Sequence, residues 1–305
     1  MEEKQENQPK TEYQKKKFDF NYDKYYKILL LIPVIILVIS LIYLGIFYSK
    51  NGDFVYRDVS LTGGTSITIN GEIDQNQLEP LKEKFPDTSF TKLEDIASRK
   101  EIALVVESSA SPEELKAGIE SILGYELNEE NSSTEFTGAA LSQNFYRQLI
   151  TALIISFVLM SIVIFILFKT FFPSVAVIFA VFADVMLPLA IVDIFEIKIS
   201  AAGIAAFLML IGYSVDTDIL LTSRAIKSKE GTLNTRIFKA FKTGLFMTLT
   251  ALAAVLPAFF IVTGLPDSFR QIFLILAIGL CADILNTWLT NASIIKWYCE
   301  KKGIQ

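Results

Sequence analysis

Histidine is missing altogether from the 305-residue chain. That absence excludes imidazole acid–base catalysis and histidine-ligated metals, and leaves carboxylates to handle any protons. Cysteine is nearly missing. Cys281 lies inside an apolar run and Cys299 in a polar tail, so both read as free thiols rather than a disulfide framework. No glycine-rich phosphate loop, no metalloprotease helix motif and no GxSxG nucleophile turn occurs. Energy from ATP would have to come from another subunit, no cofactor is implied, and bond-breaking catalysis is not expected. A surplus of positive charge is lacking too. The 28 Lys and Arg against 33 Asp and Glu leave a net charge of −5, which argues against a nucleic-acid partner.

Apolar residues, by contrast, make up 52% of the chain and are gathered in blocks. Six runs reach about the roughly 20 residues that span a bilayer. They cover 28–48, 148–168, 174–194, 199–222, 244–263 and 271–293. A charged leader occupies 1–27, and no small-residue cleavage site follows the first run, so that run reads as an uncleaved membrane helix. Basic residues set the expected orientation. Lys4, Lys10, Lys15, Lys16, Lys17, Lys24 and Lys27 of the leader fall on one side of the membrane. The loop 223–243 (Arg224, Lys227, Lys229, Arg236, Lys239, Lys242) and the tail 294–305 (Lys296, Lys301, Lys302) share that side with Lys169. The opposite short loops hold only Lys198 and Arg270. The positive-inside rule then puts both termini in the cytoplasm of a multi-pass cell-membrane protein, with 49–147 outside.

That polar stretch reads as strand, helix and turn. Thr65–Asn70 alternates like a strand, Asp74–Phe85 reads as a helix ending at Pro86, Ser89–Leu93 is a weak strand and Glu101–Glu107 a strong one. Ser111-Pro112-Glu113-Glu114 opens a second helix with an N-cap serine, proline at the first position and acids in the first turn; Gly124 marks its end. Thr134–Thr137 supplies a last strand. The order βαββαβ predicts a small ferredoxin-like α+β domain. The fold class is thus an α-helical polytopic membrane protein of six spans with one extracytoplasmic α+β domain.

Charges inside spans are costly, so each is a functional hypothesis. Asp184 lies mid-span in the third run, Asp216 and Asp218 in the fourth, and Asp283 in the sixth. Arg224 follows Asp216 by two turns, roughly on one helix face. One reading is a proton or cation relay among spans three, four and six, with Asp184, Asp216, Arg224, Asp218 and Asp283 as its candidates, because a carboxylate withdrawn from water exchanges protons nearer neutral pH while arginine stays charged. The other is a set of polar contacts locking the helices, with Asn286, Thr287, Thr290 and Asn291 as hydrogen bonders and Asp283 as structural glue. Asp218 is expected close to the interface and solvated, and Asp193 at a span boundary. Gly203, Gly212, Gly244 and Gly279 permit close helix contact, and Gly63-Gly64 reads as a tight turn into the first strand.

Four motifs carry a resemblance: GYSVDTDILLTSR at 212–224, LTGGT at 61–65, ADV at 183–185 and EFTGAALSQ at 135–143. With one span, an outer domain and five clustered spans, the chain resembles the half-unit of the resistance–nodulation–division superfamily. Within it the chain resembles the SecD/SecF family, which works beside the protein-translocation channel. The resemblance covers nearly the whole chain beyond the leader. It implies a SecD-like companion supplying the second half, a SecYE-type translocation channel, preprotein substrates and surrounding membrane lipids. It places Asp184 at the family's third-span aspartate and Arg224 at its fourth-span arginine, both linked to proton-driven function. Departures are visible as well. Ala183 stands where histidine is usual and Ser223 where an acid commonly precedes the arginine, while Asp216 and Asp218 are extra carboxylates. The segment 279–294 is more similar to the archaeal branch. Two alternatives stay open: an exporter subunit for lipids or small hydrophobic molecules, and a passive scaffold of the channel.

Overall fold

The computed structural model describes residues 22–94, 100–229, 231–261 and 267–304. Most of the leader, up to residue 21, and the end of the fifth run at 262–263 lie outside the described residues.

Apolar side chains in unbroken runs favour helix wherever backbone groups must pair within their own segment, as they must in hydrocarbon. Among the described residues six such helices are long and apolar enough to cross a membrane. They are α1 (Tyr22–Asn51), α6 (Ala139–Phe168), α7 (Phe171–Ile194), α8 (Ala201–Lys227), α9 (Leu233–Ile261) and a rod over Arg270–Lys302. The rod consists of α10 (Asp267–Leu285), a π-helical segment Asn286–Asn291 and α11 (Ala292–Lys302). Most helices outrun the apolar runs read from sequence. The stretch 223–243 is helical on both sides of residues 228–232, and the tail from 294 continues the rod. At about 1.5 Å rise per residue the 33-residue rod is about 50 Å long, more than the roughly 30 Å hydrocarbon core. Its Lys296, Lys301 and Lys302 stand at the end of the rod opposite the α+β domain.

The helices differ in how deeply they sit. α7, α8 and the rod form the buried centre, whereas α6 turns nearly all of its apolar surface outward, including Ile154, Leu159, Ile162 and Ile166. The centre is built from Val177, Val181, Val185, Ile204, Phe207, Leu210, Ile275 and Leu276, with Ile164 the main contribution of α6. α8 packs most extensively on α10. Gly279 makes that approach possible: a Cβ there would lie 2.4 Å from Leu210 Cδ1.

Between α1 and α6 lies the α+β domain. It opens with α2 (Val59–Thr62), and its strands are β1 (Gly64–Asn70), β2 (Ser89–Glu94), β3 (Glu101–Ser108) and β4 (Ser132–Thr137). They form one antiparallel sheet in the order β2-β3-β1-β4. Ile67 and Ile69 of β1 and Leu104 and Val106 of β3 point to one face, as period-two alternation requires. There they meet Leu115 and Ile119 of α5 (Pro112–Leu123), with Leu78 and Leu81. α5 begins and ends where its sequence signals stand. The Ser111 side chain accepts the Glu114 N–H, and Gly124 at φ +75° closes the last turn. The helix expected over Asp74–Phe85 is a correction. It is broken into α3 (Gln75–Leu78) and α4 (Leu81–Lys84): Glu79 and Pro80 keep helical backbone angles, but Pro80 has no N–H to donate and interrupts the hydrogen-bond ladder.

The domain is tied to the helix bundle by backbone as well as by the chain itself. Ile199 N–H donates to Tyr56 O (2.6 Å) and Asp58 N–H to Ile199 O (3.1 Å), just before α8 begins. Ser60 Oγ then accepts the Ala201 N–H at 3.1 Å.

Candidate polar site in the helix bundle

Four helices converge on one buried polar cluster. α7 supplies Asp184, α8 supplies Thr217 and Asp218, α9 supplies Thr248, and the rod supplies Asp283, Asn286, Thr287 and Asn291. Asp184 and Asp218 are fully buried and Asp283 is 1% exposed. Burying a carboxylate is unfavourable unless donors replace water, and here every one has them. Asn286 Nδ2 donates to Asp184 Oδ1 at 2.7 Å. Asn291 Nδ2 and Thr287 Oγ1 donate to Asp218 Oδ1 at 2.8 and 2.9 Å. Asp283 Oδ1 accepts from Thr217 Oγ1 at 2.9 Å and from Thr287 Oγ1 at 3.1 Å, and its Oδ2 accepts from Thr248 Oγ1 at 3.2 Å.

Thr287 is the bridge. Its hydroxyl carries one proton, yet it stands within hydrogen-bond range of both Asp218 and Asp283. Both contacts are fully satisfied only when one of those carboxyls carries a proton of its own. Asp184 Oδ2 and Asp218 Oδ2 have no donor at ordinary hydrogen-bond geometry, and the Ser214 hydroxyl faces Asp184 and Asp283. Acceptor capacity for a further proton is therefore built into the cluster.

The π-helical segment lies in this cluster. A wider turn shifts the backbone register, so that the Ala292 N–H reaches back five residues to Thr287 O. Such segments are rare and frequent at functional sites. Nothing in the sequence marks it, since Asp283, Asn286, Thr287 and Asn291 would share a face on an ordinary helix as well.

Two sequence expectations are corrected. Asp216, expected in the relay, is exposed, and Asp218, expected to be solvated, takes the buried place. Two residues apart on a helix is about 200°, so the two side chains must face opposite ways. The buried stripe of α8 runs Ser214, Asp218, Leu221, Thr222 and Ala225 at helical spacing. That periodicity, visible in the sequence, was the signal that separates the two aspartates. Arg224 is the second correction. Its Nη1 donates to Lys239 O and Thr243 Oγ1, both at 3.0 Å, and it touches no carboxylate of the cluster. Eight residues leave it about 80° off the Asp216 face, and its guanidinium turns to the start of α9. The hydroxyls of Thr217 and Thr248 were not singled out from sequence, because a lone threonine in an apolar run carries no distinctive pattern. Asp193, expected at a span boundary, is 1% exposed and faces the Tyr56 backbone N–H.

Asp216 nonetheless has a place. With Tyr213 it stands on a cleft of about 350 Å³ between α8, α9 and α10, whose lining also includes Thr217, Thr248 and Asp283. The cleft connects the outward face of α8 to the Asp283 carboxyl.

At the domain end, Gly63 and Gly64 form the passage from α2 into β1. Gly63 has φ +85°, and a Cβ on it would lie 2.3 Å from the Ala139 Cα; one on Gly64 would lie 2.4 Å from Ser108 O. Both neighbours are backbone, so only glycine lets β1 run between the start of α6 and the end of β3. Beside them, Asp58 caps α2 by accepting from the Ser60 N–H (3.0 Å) and Ser60 Oγ (2.5 Å). Burial raises its carboxyl to about 6, against the lowering effect of those Ser60 hydrogen bonds.

The family described as "Protein export membrane protein SecD/SecF, C-terminal" matches residues 119–301, more than half of the chain. A relative from Methanolacinia petrolearia, named "Protein-export membrane protein SecF", is 33% identical over 94% of this chain and 99% of its own length. Another of that name, from Methanothermobacter thermautotrophicus, is 36% identical over 92% of this chain and 95% of its own. Among solved structures, SecDF of Thermus thermophilus, described as a translocon-associated membrane protein, superposes with a TM-score of 0.72 at 18% identity. That likeness covers 92% of this chain but 39% of the SecDF chain. The chain belongs to the SecD/SecF family of protein-export membrane proteins.

Proposed function

We propose that this protein is an auxiliary, non-enzymatic membrane subunit of the Sec machinery that promotes preprotein export together with a SecD-like partner. The observation that carries the export role is the near full-length similarity to relatives named as protein-export membrane proteins. The partner is supported by two features. The solved SecDF chain is more than twice the length matched here, and α8 presents Met209, Tyr213 and Asp216 outward along one face. A carboxylate facing lipid is costly; a companion half-unit covering that stripe removes the cost.

In this reading the α+β domain is a ferredoxin-like module outside the cell membrane, both termini are cytoplasmic, and the module meets preproteins emerging from a SecYE-type channel. Export is coupled to protons passing through Asp184, Asp218 and Asp283. Hydroxyl and amide hydrogens point at these carboxylates, a surround that suits proton exchange better than a bare cation. Thr287 links Asp218 to Asp283, and the cleft at Asp216 links Asp283 to the partner-facing side. Movement reaches the outer domain through the backbone pairing of Tyr56–Asp58 with Ile199, at the start of the helix that carries Asp218.

The test is export of a secreted reporter, followed by pulse–chase in cells whose own copy is replaced by variants of equal abundance. Asp184→Asn, Asp218→Asn and Asp283→Asn each slow export, whereas Arg224→Gln leaves it near wild type. Normal export in all three aspartate variants, with a defect only when the whole protein is removed, would refute the relay and leave a scaffold.

A further inference from the structure

At the end of the bundle opposite the α+β domain, a cavity of about 330 Å³ opens between the end of α8 and the start of α9. Its lining is Arg224, Ser228, Arg236 and Lys239. Three of these four side chains are cationic, and among the described residues no carboxylate lines it. We propose that this cavity binds a phosphate group, as carried by the headgroup of an anionic phospholipid or by a free phosphate ion.

The state of Arg236 carries the inference. Its side chain is 3% exposed, Nη1 donates to Ser228 O at 2.5 Å, and its Nε and buried Nη2 have no acceptor. A buried guanidinium with donors left over is unfavourable unless an anion supplies the missing oxygens. The Nε and Nη2 hydrogens form the fork that matches two oxygens of one phosphate. Arg224 stands ready beside it. Its Nη1 is anchored on Lys239 O and Thr243 Oγ1, which fixes the guanidinium at the cavity wall without using its charge. Lys239 is exposed and completes the positive rim.

Position favours a lipid as the source. The cavity sits where two apolar helices leave the hydrocarbon, the level at which phospholipid phosphates lie, and basic pockets between helices at that level recognise acidic headgroups. Its volume accommodates a phosphate with part of a headgroup.

The full-length protein, purified in neutral detergent, is titrated separately with dioctanoyl phosphatidylglycerol, dioctanoyl phosphatidylcholine and inorganic phosphate, and its thermal unfolding is followed. The expected result is saturable stabilisation by phosphatidylglycerol at concentrations at least tenfold lower than by phosphatidylcholine. Arg236→Met and Lys239→Gln each weaken it fivefold or more, while Lys301→Gln, an equal loss of charge on α11, does not. The lysine variant keeps the buried arginine, so the test survives if Arg236→Met fails to fold. Equal potency of inorganic phosphate supports the site and assigns it to the free ion. Absence of saturable binding to either phosphate source overturns the proposal, as does the same loss in Lys301→Gln.

Discussion

Replacing Thr287 by valine keeps the shape of the side chain and removes the hydroxyl that Asp218 and Asp283 share. Two contacts, at 2.9 and 3.1 Å, disappear together. In water, hydrogen bonds to charged groups contribute about 1.5–3 kcal/mol each. Between membrane helices the measured values are smaller, about 0.6 kcal/mol on average and about 1.7 at most, because the unfolded chain in lipid also finds partners. The expected loss therefore lies between about 0.6 kcal/mol, if one contact counts, and about 3 kcal/mol, if both count fully. Trp288 offers the probe. It is 6% exposed and next to the mutated position, whereas Trp297, the other tryptophan, is 38% exposed. Thermal unfolding in detergent, read by tryptophan emission, is expected to show Thr287→Val clearly below wild type. Thr287→Ser keeps the donor and loses a methyl, so its deficit should be smaller, about 0.8 kcal/mol or less. In an Asp283→Asn background the valine penalty should shrink, since one of the two acceptors is already changed. A valine variant as stable as wild type would refute the bridging role, and so would an unchanged penalty in the asparagine background.

Other outcomes follow from the same geometry. Gly279→Ala places a methyl against buried Leu210 and should cost about 1–3 kcal/mol; combined with Leu210→Ala, which alone opens a cavity, the two losses should fall short of their sum by at least about 0.5 kcal/mol in a thermal-unfolding cycle. Gly63→Ala has no such rescue, because its neighbour is the Ala139 backbone and φ is +85°; loss of folded protein from the membrane fraction is expected, and normal yield would contradict the close approach. Asp58 titrates near 6 against roughly 4 for an unfolded aspartate, so the folded state alone holds a proton between those values and stability falls as pH rises through that window. Amide exchange at Ser60 and Leu61 should accordingly speed up from pH 5 to 7 beyond the intrinsic rate, and Asp58→Asn should abolish that excess.

Spans were legible because length and apolarity alone decide them, and Gly63-Gly64 because two adjacent glycines before a strand announce a tight passage. Strands and caps of the small domain were legible from alternation and from Ser111, Pro112 and Gly124. Pro80 interrupts the helix that the pattern over Asp74–Phe85 predicts. At the polar site, Asp184 and Asp283 stood out as charges amid apolar residues. The choice between Asp216 and Asp218 needed the facing of α8, which only its small-residue stripe reveals, and the chain of donors needed the distances among four helices far apart in sequence. Arg224 misled because charge complementarity in a list of residues says nothing about which neighbour a long side chain can reach.

The π-helical segment also fixes how tolerant the chain is to editing. A π-helical turn holds one residue more than an ordinary helix over the same length, so deleting one residue within 286–291 lets the rod close as an ordinary helix with α11 still in phase, whereas a deletion within α10 turns everything after it by about 100° and draws it back by about 1.5 Å. Ser293 would then leave the Tyr26 carbonyl that it reaches at 3.0 Å, and Lys296 would leave Asn234 at 2.6 Å. Those contacts hold α11 against the first helix and the start of the fifth. One-residue deletions should therefore be purged from α10 and absorbed in the six-residue stretch deep in the bundle, where losing the spare residue leaves the basic end of the rod in step with its neighbours.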